Sequence, residues 1–274
     1  MADNVLMDGL TAEEKKNLFG NAYLHMLWSC PSDPRFCYWA YVPDAYLEEK
    51  DPHYKLLVIV HGTGCYTEQY IAYAKEWCDK NHVAIMASMF PSGLVGHDNF
   101  NSYKLVADGG IRYDQILLSE VEDMKLRYPG VETDKFFLFG HSGGGQFSER
   151  FTLVHPERVK AVNIGAPGRP TFINYDEDYF WGIRNFKQVF DKEFDIEAFR
   201  QVPVIIVIGE KDTKFIGESP YGTNRMERMH SLQQNFLDNG VKSVDLEVIP
   251  GIAHEDGDKE RIETATKFFT KFLK

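Results

Sequence analysis

The sequence predicts an α/β fold, a mostly parallel central sheet with helices on both faces. Three observations lead there. Several runs are apolar without alternation, at 55–60, 83–90, 136–139 and 202–209, as strands covered on both sides require. Between them, apolar residues recur at helical spacing, as in Ile71, Ala74 and Trp77 or Ile116, Leu117, Val121 and Met124. The chain has 274 residues, 43% of them hydrophobic and 26% charged. That is the make-up of a soluble globule large enough for one α/β domain.

In chain order, Thr11-Ala-Glu-Glu14 has the form of a capping box. Leu18, Tyr23 and Leu27 fit one face of the helix it would start. Pro31 and Pro34 stop that segment, and 36–42 reads as an aromatic strand closed by Pro43. The strand at 55–60 opens into His61-Gly-Thr-Gly64, a helix follows, and the strand at 83–90 ends at Pro91. Residues 91–109 form a loop longer than compact domains usually carry, and such loops are commonly functional or mobile. The Asp108-Gly-Gly-Ile-Arg-Tyr113 stretch in and after it reads as a structural ion pair. A helix over 110–128 stops at Pro129-Gly130, and a strand over 159–166 follows the next helix. Residues 171–200 then break the alternation with Phe172, Tyr179, Phe180, Trp181, Phe186 and Phe190 set among acids. The pattern resumes with the strand at 202–209, a helix over 226–237 ended by Asn239-Gly240, a strand at 244–249 and a helix over 262–273. There is no internal repeat and no linker, so one domain with an insertion at 168–200 is expected.

A net charge of −11 disfavours nucleic acid or an anionic membrane as partner. No apolar run reaches the ~20 residues that span a bilayer. The opening Met-Ala-Asp-Asn-Val-Leu-Met-Asp lacks the basic start and apolar core of a signal peptide. Cys30, Cys37, Cys65 and Cys78 have neither metal-like spacing nor the density of a disulfide framework. A reduced, cytoplasmic protein is the reading. Nothing suggests a metal site, a phosphate loop or a dinucleotide fingerprint, so no cofactor is expected.

The chemistry centres on Gly140-His-Ser-Gly-Gly144, which fits G-x-S-x-G between the strand at 136–139 and a helix marked by Phe147, Phe151 and Val154. A serine on so sharp a turn needs neighbours without Cβ atoms, because strand and helix pass close to it. Such a serine needs a base, and the base an orienting acid. In a parallel sheet these come from loops after strands. Asp212 follows the 204–209 strand and His254 follows the 244–249 strand. His97 is the rival base, and Glu210 the rival acid, with Glu255 and Asp256 behind it. Two backbone donors should stabilise an oxyanion, the N–H of Gly143 and that of Thr63 in the loop after 55–60.

These segments resemble the α/β-hydrolases. Gly140-His-Ser-Gly-Gly144 is similar to the nucleophile elbow of that superfamily, and the order Ser142, Asp212, His254 is its order. His61-Gly-Thr-Gly64 resembles the oxyanion loop of the esterase, lipase and polyhydroxybutyrate-depolymerase-like branches. Gly209-Glu-Lys-Asp212 and Gly251-Ile-Ala-His254 resemble their acid and histidine loops. The likeness runs over 55–274 apart from the insertion.

The resemblance implies an α/β-hydrolase fold with an inserted cap, and cleavage of a small-molecule carboxylic ester of small or medium apolar character through an acyl-enzyme. A lactonase, thioesterase or C–C bond hydrolase would use the same residues. A non-catalytic ligand-binding receptor on the same fold is the alternative of another class. The insertion reads either as a cap whose Phe180 and Trp181 contact substrate or as helices packed on the sheet or a subunit interface, which leaves a homodimer open.

Overall fold

The computed structural model describes residues 9–274. The opening octapeptide, on which the signal-peptide reading rests, lies outside the described residues. One eight-stranded sheet organises the chain, in the order β1-β2-β4-β3-β5-β6-β7-β8. Its strands are β1 (Leu27–Ser29), β2 (Cys37–Tyr41), β3 (Lys55–Val60), β4 (Val83–Met89), β5 (Phe136–His141), β6 (Val159–Gly165), β7 (Val204–Gly209) and β8 (Val244–Ile249). β1 with β2 and β2 with β4 pair antiparallel, and every other neighbour pair is parallel. The side chains of β3 from Leu56 on, and all of those of β5 and β7, are buried, which is why these runs are apolar without alternation.

The helices are α1 (Ala12–Phe19), α2 (Glu68–Asn81), α3 (Tyr113–Arg127), α4 (Gly143–Val154), α5 (Phe186–Phe190), α6 (Ile196–Phe199), α7 (Arg225–Asp238) and α8 (Asp258–Phe269). On one face of the sheet α2 and α8 bury Ala74, Cys78, Ile262 and Phe269 against Leu57, Ile59 and Phe139. On the other, α3, α4 and α7 bury Leu117, Val121, Phe151, Met229 and Leu232 against Val58, Leu138 and Ile206. The sheet is thus enclosed from both sides, as its composition demanded.

Thr11 and Glu14 close the expected capping box, with the Glu14 N–H donating to Thr11 Oγ1 at 3.2 Å and the Thr11 N–H to Glu14 Oε2 at 2.8 Å. The helix is shorter than its spacing suggested. It gives way at Gly20 to a 3₁₀ turn through Leu24, and Leu27 belongs to β1 instead. Leu18 and Leu27 are exposed and Tyr23 is buried, so the three share no face. Arg112 forms an ion pair at 2.7 Å with Asp114 rather than with Asp108.

Between β6 and β7, α5 and α6 punctuate a mostly irregular segment. Its Phe172, Ile183, Phe186, Phe190 and Phe199 enter the same hydrophobic cluster as α4 and α7. This segment is seated on the body of the fold. Two registers bring the reactive loops together. Val60 stands opposite Gly140, so the loops leaving β3 and β5 emerge side by side. Gly209 stands opposite Ile249, which does the same for the loops leaving β7 and β8.

Candidate active site

β5 ends at His141 and α4 begins at Gly143, leaving Ser142 to make the whole turn at φ 55° and ψ −111°. A non-glycine residue held there is strained by on the order of 1–3 kcal/mol. The turn is fastened by the Ser142 N–H, which donates to the Gly165 carbonyl at 2.7 Å, and by the Gln146 N–H, which donates to the Ser142 carbonyl at 3.1 Å. A Cβ on Gly140 would overlap the Gly144 carbonyl, and one on Gly144 would overlap that of Val60. Strand and helix touch backbone to backbone here, and only glycine permits it.

The loops after β7 and β8 deliver the partners. His254 Nε2 lies 2.9 Å from Ser142 Oγ, and His254 Nδ1 lies 2.6 Å from Asp212 Oδ2. Asp212 is buried, and its other oxygen accepts from Arg225 Nη1 at 3.2 Å. Burial works against its ionisation. The hydrogen bond from His254 and the Arg225 guanidinium outweigh burial and hold the carboxyl below its ordinary range. An ionised Asp212 only accepts, so Nδ1 carries the imidazole proton and Nε2 is free to accept from the Ser142 hydroxyl.

The rivals stand elsewhere. His97 is fully exposed and paired with Asp98 at 2.8 Å. Glu210 accepts from the Gly251 N–H at 2.8 Å, bracing the histidine loop and leaving the imidazole to Asp212. Glu255 and Asp256 are exposed.

The Gly143 N–H is the first of α4, where the helix dipole favours negative charge. A Cβ on Gly143 would lie 3.3 Å from the Thr63 nitrogen, so the two expected donors are close neighbours beside Ser142. Three contacts that the sequence reading missed hold this loop. The buried His61 ring takes the Phe90 N–H on Nε2 at 2.9 Å and therefore donates from Nδ1 to the Gly62 carbonyl at 2.7 Å. Burial pushes its pKa down to about 4, which keeps it neutral. Lys104, from the loop at 91–109, donates to Thr63 Oγ1 at 2.7 Å.

Two cavities meet at Ser142 and Thr63. The larger, of about 440 Å³, is lined by Phe100, Leu105, Phe180 and Ile216 together with Lys104, Arg169 and Arg225. The smaller, of about 350 Å³, lies on the His254 side with Tyr66, Glu255 and Asp258. Of the two aromatic residues expected at substrate, Phe180 lines the larger cavity. Trp181 does not, and packs on Tyr221 at 6.0 Å between ring centroids, with the Arg228 guanidinium 5.4 Å from its ring. Among the described residues no group of three or more His, Cys, Asp and Glu side chains is arranged to hold a metal ion.

Strand order, elbow and loop placement define an α/β-hydrolase fold. No protein-family model matches the sequence, and neither does any curated protein. Solved structures do match. Poly(aspartic acid) hydrolase-1 from Sphingomonas sp. KT-1 aligns with a TM-score of 0.69 at 17% identity, covering 89% of this chain and 96% of that one. The poly(3-hydroxybutyrate) depolymerase LpqC from Bordetella parapertussis aligns with a TM-score of 0.69 at 18% identity, over 96% and 95% of the two chains. The siderophore hydrolase EstA from Aspergillus nidulans aligns with a TM-score of 0.63 at 14% identity, over 92% and 96%. At these identities the likeness is one of fold.

Proposed function

We propose that the chain is a serine hydrolase that cleaves carboxylic esters through an acyl-enzyme. The observation that carries this reading is the unbroken hydrogen-bond path from Asp212 through His254 to Ser142 Oγ, at 2.6 and 2.9 Å. Ser142 Oγ attacks the ester carbonyl carbon while its proton passes to His254 Nε2, and Asp212 stabilises the imidazolium. The N–H groups of Thr63 and Gly143 receive the oxyanion. His254 then gives its proton to the departing alkoxide. Water attacks the acyl-enzyme, loses its proton to His254, and releases the acid with Ser142 restored. The same steps open a lactone or cleave a thioester.

The segment at 168–200 serves in this reading as a cap that places Phe180 over the serine, and the four free cysteines suit a reducing, cytoplasmic setting. The fold neighbour named as a poly(3-hydroxybutyrate) depolymerase, whose polymer is a polyester, agrees with ester chemistry. A fluorophosphonate probe tests the reading. Phosphonylation mapped by mass spectrometry to Ser142, with concurrent loss of ester cleavage, is the expected result. A protein that ignores the probe and hydrolyses no ester would be a binding protein on a hydrolase fold.

A further inference from the structure

Although the chain carries a net charge of −11, the larger cavity is lined by three cations and no carboxylate side chain. Lys104 is buried at 5% exposure and holds only neutral partners, Thr63 Oγ1 and Asn101 Oδ1, each at 2.7 Å. Arg169 is exposed and makes no side-chain ion pair among the described residues. Its guanidinium sits 6.0 Å from the Phe180 ring. Arg225 has one acidic partner, Asp212, and its buried Nε has none at all.

Two more cations stand behind the lining. Arg150 and Arg228 are buried, and both spend their donors on neutral oxygens of the chain. Glu149, next to Arg150 in the chain, has its pKa pushed up by burial, against the charge of Arg150 and the Thr171 N–H, which weakens it as a counter-charge. Burial, then Arg169 and Arg150, hold Lys104 down to about 8. Gathering like charges in a low-dielectric cavity is unfavourable without a counter-ion. Arg225 has a counter-ion in Asp212, whereas Lys104 and Arg169 have no carboxylate partner among the described residues.

The side of the reaction follows from proton delivery. The group that leaves must take its proton from His254 Nε2 and so must depart on the His254 side. His254 lines the smaller cavity and not the larger one. The larger cavity therefore receives the acyl part. Its apolar members, Phe100, Leu105, Phe180 and Ile216, suit a carbon chain, and its cations suit what ends that chain.

We infer that the preferred substrate is an ester whose acyl chain ends in a carboxylate, a half-ester of a dicarboxylic acid, with Arg169 and Lys104 as the residues that select it. This deepens the serine-hydrolase reading and rests on it. The test compares the para-nitrophenyl half-ester of adipic acid with the para-nitrophenyl ester of its monoamide, which differ only in the terminal charge.

Wild-type protein should prefer the carboxylate by about tenfold or more in kcat/KM, the worth of a charge-assisted contact. R169Q and K104M should each shrink the ratio of the two substrates severalfold, and Arg169→Glu should reverse it. A ratio near one in the wild type, or a ratio that neither R169Q nor K104M moves, overturns the inference. In that event fluorophosphonate labelling of Ser142 and cleavage of the amide-ended ester would leave the hydrolase reading standing. If the probe and both esters fail to react, the hydrolase reading falls instead. Adipic acid monoamide then decides the pocket: protection of the wild type but not R169Q against thermal unfolding supports anion binding, and no protection of either sinks it.

Discussion

His141 Nε2 lies 3.1 Å from the backbone carbonyl of His254, with the two rings 4.9 Å apart between centroids. Burial first, then Arg261 and His254, keep the His141 ring well below its ordinary pKa. A neutral ring has one N–H, and its Nδ1 has no partner, so Nε2 is the donor. Arg261 Nη2 reaches the same carbonyl at 3.1 Å and that of Ala253 at 2.5 Å. The residue preceding Ser142 thus anchors the loop that carries His254. Replacing His141 by Phe should lower kcat about tenfold, the worth of one lost hydrogen bond, with KM little changed. His141→Gln, whose amide can donate from a similar place, should recover part of it. Equal kcat values for Phe, Gln and wild type would make His141 a mere filler of space.

Asp212 and Glu210 are separated by one residue and by function. The first orients the imidazole and the second braces Gly251. Asp212→Asn should cost on the order of ten-thousand-fold in kcat, since an amide facing Nδ1 favours the wrong tautomer. Glu210→Gln keeps an acceptor for the Gly251 N–H and should cost less than about tenfold. Steady-state kinetics on one ester suffices, and the opposite ranking would move the acid to Glu210.

Ser142, Asp212 and His254 could be picked out because each follows a strand at the same end of a parallel sheet. The strands before Ser142 and Asp212 announce themselves as apolar runs, whereas the edge strand before His254 shows only an alternation, with Asp245 and Glu247 exposed. The strand at Leu27–Ser29 was not legible. It is an edge strand of three residues, too short for a period to show. The supports of the site were hidden for another reason. His61, Lys104, Arg150 and Arg169 are distant in sequence and converge only through the fold, and nothing local distinguishes Arg169 from a solvated arginine. In the insertion, aromatic content signalled burial without saying which rings face the cavity and which face the core.

That division separates Phe180 from Trp181. Phe180 lines the larger cavity, so Phe180→Ala should change kcat/KM by about tenfold or more, unequally between short and long acyl chains, since burying such a ring is worth about 1.5–3 kcal/mol. Trp181 supports Tyr221 and Arg228 from within. Trp181→Ala should cost about 2 kcal/mol of stability and lower activity on all esters alike. Denaturant midpoints and a substrate profile for both variants check this. A selective Trp181 variant and an unselective Phe180 variant would exchange their roles.

Acid should act on the fold through Asp114. This residue is fully buried near the start of α3, where it accepts from Arg112 Nη2 at 2.7 Å and faces His155 Nε2 at 2.8 Å. Burial would raise its pKa, but the His155 and Arg112 hydrogen bonds, with the charges of both, bring it from 3.8 down to about 2. The folded value is the lower one, so the unfolded chain binds the proton more tightly. Its contribution to stability is therefore complete above about pH 5, shrinks as the pH falls below the unfolded value, and is gone below about 2. The size is about 2 kcal/mol, by the relation of a pKa difference to free energy. Asp114→Asn should be destabilised at pH 7 by at least that amount, because the Arg112 guanidinium would lose its counter-charge. The gap between variant and wild type should narrow as the pH drops toward 3. Urea unfolding at pH 7, 5 and 3 measures it, and a gap that stays constant across the three would show that the Asp114 carboxylate takes no part in the acid limb.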